Sequence, residues 1–482
     1  MEYTKPQRNL TMLTDFYEIT MANGYFKNNF KDTIAYFDMF YRKVPDGGGF
    51  VIAAGLEQLV DYLSNLTFDK DDIEYLRSKG FGEDFLDYLA NFKFVCDVWA
   101  VPEGTPVFPG EPIVKVKGPV IQAQFIETMI LLCINHQSLI ATKANRICRA
   151  AGDKHVMEFG SRRAQGADGA IYGARAAYIG GVVGTACTIS DEMFGVPALG
   201  TMAHSWVQLF DSELDAFTAY AKEYPDSCTL LVDTYNTLKS GIPNAIKVFD
   251  EVLKPLGKRP KGIRIDSGDI AYLSRKARKM LDEAGYPDCS IVASNSLDEY
   301  IIRDMLMQGA KVDSFGVGER LITSSSSPML GGVYKLCGIQ KDGKVIPKIK
   351  LSENVAKITT PGNKRVYRLY DNETGKAAAD LITLADETVD DSQPYELFDP
   401  DFTWKRKTIT DFTARELLEP VFDKGNCVFN RKTAKEIREY CKQQVETLWD
   451  EVTRFENPHN YYVDLSQPLW DLKHELLRKN GK

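Results

Sequence analysis

The chain has 482 residues, with 59 Lys+Arg against 67 Asp+Glu for a net charge of −8, and 44% of its residues are hydrophobic. That is an ordinary globular balance with enough chain for a large core. It lacks the basic footprint that a nucleic-acid-binding role calls for. The longest apolar runs, such as residues 129–134, fall far short of the roughly 20 residues that cross a bilayer. The opening Met1-Glu2-Tyr3-Thr4-Lys5 has no basic-then-apolar export pattern, so a cytoplasmic location is expected. The nine cysteines are scattered without a Cys-x-x-Cys pair and read as small buried side chains rather than a disulfide framework. The five histidines contain no His-x-x-x-His pair, which argues against structural zinc.

In chain order, residues 14–26 predict an amphipathic helix after a Thr/Asp start. Asp46-Gly47-Gly48-Gly49 predicts a turn. Residues 102–119 alternate valine and isoleucine with Pro and Gly and predict a small β element, a plain hairpin. Residues 122–144 predict a long buried helix. From His155 to Leu336 short apolar strands alternate with amphipathic helices: strands at 228–232, 262–265, 290–293 and 312–315, helices at 270–284 and 297–308. Repeated strand-then-helix predicts a parallel sheet or barrel. Polar and glycine residues gather just after each strand. They are either helix N-caps or the residues of an active site at the C-terminal face of a barrel. After Leu336 the alternation stops. Residues 347–384 are strand-like, 386–391 form an acidic solvated loop, and 433–455 and 465–479 read as helices.

Several short motifs could carry chemistry. Phe315-Gly316-Val317-Gly318 follows a strand, and glycines there can let main-chain N–H groups approach an anion. It is neither a Gly-x-Gly-x-x-Gly fingerprint nor a Walker loop. Arg264 and Asp266 share a strand face, where the guanidinium either forks onto an anion or pairs with the carboxylate. Glu158-Phe159-Gly160-Ser161-Arg162-Arg163 sets an aromatic ring beside two guanidiniums, which suits a flat anionic ligand. His204 stands in Gly200-Thr201-Met202-Ala203-His204-Ser205, where a lone histidine is either structural or functional.

Taken together with Asp15-Phe16-Tyr17 and Val232-Asp233-Thr234-Tyr235, these motifs occur in the order and spacing of nicotinate phosphoribosyltransferases. The resemblance runs from the N-terminus to about residue 370. It continues more loosely to the end, where longer bacterial members carry an extra region. It implies an α/β fold: an incomplete (β/α) barrel of the type II phosphoribosyltransferase kind, with an N-terminal α/β domain and a C-terminal extension. The expected division is 1–145, 146–336 and 337–482, the first strands of the last region packing back on the N-terminal domain. The implied reaction joins nicotinate to 5-phosphoribosyl 1-diphosphate as the first step of NAD salvage. It is coupled to ATP through a phosphohistidine, with Mg²⁺ on the phosphates, in a homodimer whose site lies at the interface.

In that reaction the ribose C1–diphosphate bond breaks and positive charge builds on the sugar, so carboxylates belong near the ring and cations near the diphosphate. The resemblance thus gives Asp233 and Asp266 the sugar cation. It gives Gly316, Gly318, Thr323, Ser294 and Asn295 the 5-phosphate end. Tyr17 and Phe159 would sandwich the pyridine ring, and Arg162, Thr201 and Arg264 would hold anionic groups. His204 would carry the phosphoryl group. The related nicotinamide enzyme has an acidic residue in the loop matching Gly184-Thr185-Ala186-Cys187, where this chain has Ala186. The alternatives are the same chemistry on nicotinamide, or a barrel lyase or aldolase acting on a sugar phosphate. Lys239 and Lys261 do not follow barrel strands where a Schiff-base lysine would stand.

Overall fold

A computed structural model describes residues 8–354 and 357–481; the opening five residues read for an export pattern lie outside them. The chain divides into two compact units, one of residues 1–139 with 329–482 and one of residues 140–328.

The second unit is built on five short parallel strands: β1 (His155–Glu158), β2 (Thr229–Leu231), β3 (Gly262–Ile265), β4 (Ser290–Ser294) and β5 (Ser314–Val317). Their order in the sheet is β1-β5-β4-β3-β2. Beyond β1 the sheet continues through single parallel bridges from Glu158 to Thr185 and from Thr185 to Ala198. Among the described residues no ladder joins β2 to the Ala198 side, so the barrel is incomplete. Strands β2 to β5 are mostly buried, as parallel strands covered on both faces are. The helix Ile270–Glu283 shows how the sequence sets its own limits. Asp269 caps it by accepting from the Tyr272 N–H at 2.9 Å, and Ile270, Ala271, Ser274, Ala277 and Leu281 form its buried stripe. Gly285, at φ 84°, follows its end. Asp298 likewise caps the helix Glu299–Met307. Asp269 and Asp298 are therefore helix caps, whereas Asp233 and Asp266 are not.

The other unit centres on a seven-stranded sheet. Within it Ile34–Phe40 is flanked antiparallel by Val114–Pro119, the middle strand, and by Val333–Lys341. A four-stranded sheet follows, with Lys364–Asp371 and Ala377–Leu384 at its centre. The hairpin expected within 102–119 is not formed. Pro106–Val107 pairs with Val51–Ile52, while Val114–Pro119 pairs with Ile34–Phe40 and Asp97–Ala100. Alternation along the chain predicted the strands but carries no information on their distant partners. The helix expected over 122–144 is two helices, Val120–Phe125 and Glu127–Ala151. By length and composition this stretch could cross a membrane, but its most apolar window is 67% buried inside the protein, as a core helix is. None of the nine cysteines is in a disulfide, and all but Cys148 and Cys427 are buried.

Candidate active site

The C-terminal ends of the barrel strands surround a cleft of about 1020 Å³, lined among others by Phe159, Arg162, Arg163, Thr201, His204, Arg264, Asp266, Ser294 and Asn295. Arg264 and Asp266, two apart on β3, point to the same side and form a salt bridge at 2.9 Å. The guanidinium is largely committed. Its Nε donates to Ser294 Oγ at 2.9 Å, and its Nη1 donates to Thr201 Oγ1 at 3.0 Å and to the Met202 carbonyl at 3.3 Å. Arg264 thus ties three strand ends together and keeps little of its fork for an incoming anion. Ser294 also donates to Asp266 Oδ1. Partial burial pushes the Asp266 carboxyl up, but hydrogen bonds from Ser294 and Arg264 and the charges of Arg264 and His204 outweigh it and hold the group below the usual carboxylate range. Asp233 Oδ2 accepts the Asp266 N–H at 2.8 Å and the Ser267 hydroxyl at 2.7 Å. Its Oδ1 is buried with no hydrogen-bond partner. His204 lies between these groups: Nδ1 is 3.1 Å from Thr234 Oγ1 and Nε2 is 3.7 Å from Asp266 Oδ2.

Phe159 also lines the cleft. A Cβ on Gly316 would sit 2.5 Å from its ring, so the ring lies against β5 at the one position without a side chain. Arg162 and Arg163, in the turn Ser161–Arg163, are exposed and make no ion pair among the described residues. Asn295 and Ser296 have φ of 94° and 45°, a left-handed backbone that costs non-glycine residues on the order of 1–3 kcal/mol each. The helix after Gly318 has only four residues, Glu319–Ile322, and opens on a carboxylate that accepts from Ser296 Oγ at 3.0 Å. The helix dipole available there is accordingly small.

The sequence is 42% identical to nicotinate phosphoribosyltransferase of Bacillus subtilis strain 168, over 99% of this chain and 97% of that protein. The chain belongs to the nicotinate phosphoribosyltransferase family. Family models for the N-terminal domain match residues 12–135, for the family itself residues 154–387, and for the C-terminal domain residues 363–473. The crystal structure of human nicotinic acid phosphoribosyltransferase superposes with a TM-score of 0.83 at 28% identity, covering 96% of this chain and 99% of that one. Nicotinate-nucleotide pyrophosphorylase of Pyrococcus furiosus shares the fold, with a TM-score of 0.70 at 24% identity over 93% of this chain and 99% of that one.

Of the residues that the family resemblance singles out, the cleft gathers His204, Asp266, Phe159, Arg162, Thr201, Arg264, Ser294, Asn295, Gly316 and Gly318, with Asp233 hydrogen-bonded to the Asp266 main chain. Thr323 is not in its wall; its hydroxyl donates to the Glu319 carbonyl at 2.6 Å. Tyr17 belongs to the other unit, where its side chain is 45% exposed. Burial and the charges of Glu127 and Glu18 push its phenol up, and burial pushes Glu18 itself up to about 7. Among the described residues no three His, Cys, Asp or Glu converge as a metal-ligand set. Sequence reasoning assigned no role to Thr234, Ser296 and Glu319, nor to the buried pair Glu158 and Thr185, whose side chains hydrogen-bond at 2.5 Å. Glu158 and Thr234 stand inside motifs already picked out, and a carboxylate at the end of a buried strand was the available signal.

Proposed function

We propose that this chain transfers the phosphoribosyl group of 5-phosphoribosyl 1-diphosphate to nicotinate, giving nicotinate mononucleotide and diphosphate. The observation that carries this is the cleft itself. It brings together an aromatic face, two uncommitted guanidiniums and an ionised carboxylate locked by Arg264 and Ser294. The pyridine nitrogen attacks ribose C1 as the bond to diphosphate breaks. The nitrogen lone pair forms the new bond, and the diphosphate leaves with the old bonding pair. Asp266, kept ionised by its partners, faces the positive charge on the sugar, with Asp233 behind it. Phe159 stacks on the ring, and Arg162 or Arg163 pairs with the nicotinate carboxylate. Tyr17 would close the ring's other face, supplied by a second copy of the chain. The helix Phe16–Lys27 exposes the apolar side chains Phe16, Tyr17 and Met21, which support its docking in a homodimer. Bound Mg²⁺ supplies charge neutralisation on the diphosphate. The open Oδ1 of Asp233 fits an ion that keeps mostly phosphate and water ligands.

Coupling to ATP would run through His204. With the proton on Nδ1 directed at Thr234, Nε2 is the free nucleophile. It takes the γ-phosphoryl group as the bond to ADP breaks, and water later cleaves the P–N bond to release phosphate. The reading places the enzyme in the cytoplasm, in keeping with nine cysteines that form no disulfide. Nicotinamide is disfavoured because Ala186 leaves that part of the wall without a side-chain acceptor for amide N–H groups.

Incubation with γ-labelled ATP tests the His204 step. Protein-bound label should be lost in acid and kept in base, and His204→Asn should abolish it. Full labelling of the variant would exclude His204 as the carrier. A thermal-shift panel tests the substrates: phosphoribosyl diphosphate and nicotinate should each raise the midpoint, and a response to simple sugar phosphates alone would favour a lyase.

A further inference from the structure

Glu158 ends β1 with its side chain fully buried. Its Oε1 accepts the Gly160 N–H and its Oε2 accepts the Thr185 hydroxyl. Thr185 Oγ1 in turn accepts the Cys187 N–H at 3.0 Å, so its proton is committed to Glu158. Main-chain bonds extend the lacing: Ala186 N–H to the Glu158 carbonyl at 2.8 Å and Leu199 N–H to the Thr185 carbonyl at 2.8 Å. The residues just after the bridged positions Glu158, Thr185 and Ala198 are Phe159, Ala186 and Leu199, and all three line the cleft. The buried pair is therefore the anchor of one wall.

A buried carboxylate without a counter-ion is costly. Burial raises the Glu158 carboxyl, only Thr185 and Gly160 act against it, and no charged side chain contributes. Stability alone would be better served by a neutral group of the same shape. What the carboxylate offers is two acceptor oxygens facing two donors, which an amide cannot match.

We infer that Glu158 is a positioning residue for the ring-binding wall, holding Phe159 and Ala186 in place through the Gly160 amide and the Thr185 hydroxyl. The inference rests on the reading of the cleft as a nicotinate site.

The test is steady-state kinetics on the full chain, with KM measured separately for nicotinate and phosphoribosyl diphosphate. Glu158→Gln should raise KM for nicotinate about tenfold or more while KM for phosphoribosyl diphosphate stays within about twofold. Thr185→Val should act in the same direction and Thr185→Ser should restore the wild-type values. The double variant Glu158→Gln with Thr185→Val should be no worse than the worse single, as for two members of one network. If both KM values rise alike, or neither moves while the thermal midpoint falls, Glu158 is structural only and the inference is overturned. Should Glu158→Gln not fold, the Thr185→Val and Thr185→Ser pair makes the same decision. Wild-type protein without nicotinate-dependent turnover would remove the underlying reading before any variant is compared.

Discussion

Asp266→Asn is expected to lower kcat by about 10²–10³-fold, the range seen when one preorganised electrostatic group is removed from a transition state. The substitution keeps the shape of the side chain, and its amide oxygen can still accept from Arg264 and Ser294 at the Oδ1 position. The change falls on the other atom. Oδ2, 3.7 Å from His204 Nε2, becomes an N–H₂ donor, turning the positive end of a dipole toward the developing sugar cation. Because the charge matters most as the C1–O bond breaks, kcat should fall far more than KM rises. Single-turnover kinetics at saturating substrates check this. A kcat within about twofold of wild type would show that Asp266 serves only to hold Arg264.

The largest stability effect should come from the unit that does not carry the cleft. Arg368 is fully buried and bidentate on Asp380, with Nε to Oδ1 at 2.8 Å and Nη2 to Oδ2 at 2.6 Å. Its Nη2 also donates to the Pro106 carbonyl at 2.8 Å, and the Tyr461 hydroxyl donates to Asp380 Oδ1 at 2.9 Å. Burial disfavours the charged guanidinium, but the Asp380 charge and hydrogen bonds more than reverse this and hold its pKa well above the ordinary value. Arg368→Met leaves Asp380 buried without its partner, with Glu111 close by and itself pushed well up by burial and by Asp380. A loss of about 3–5 kcal/mol is expected, read as a lower urea midpoint at unchanged slope. Arg77→Ala, which breaks exposed pairs with Glu74 and Glu83, should cost less than about 1 kcal/mol. Equal effects from the two substitutions would refute the burial argument.

The second unit was the more legible in sequence because its elements are local. Two isoleucines either side of Arg264 mark β3, expected over 262–265 and found at Gly262–Ile265, and Asp269 with Gly285 brackets the helix between them. Strand β5 was displaced: residues 312–315 were expected, and Ser314–Val317 is found. Gly316 was expected after the strand, where it would let main-chain N–H groups approach an anion, yet it lies inside the strand and its missing side chain makes room for the Phe159 ring. The sheets of the other unit are paired across distances such as Phe40 to Val333, which no local pattern encodes. The same limit holds within the site. Arg264 and Asp266 could be paired from a spacing of two, whereas Glu158 and Thr185 meet only because the sheet bridges segments distant in sequence.

The most direct test of the central claim is kcat/KM for nicotinate against nicotinamide at equal phosphoribosyl diphosphate. A charge-assisted contact from Arg162 or Arg163 to the carboxylate is worth about 1.5–3 kcal/mol. An amide in its place leaves that guanidinium poorly paired and meets no side-chain acceptor at Ala186. Nicotinate should therefore be favoured on the order of 100-fold or more. Equal efficiency with the two substrates would contradict the account.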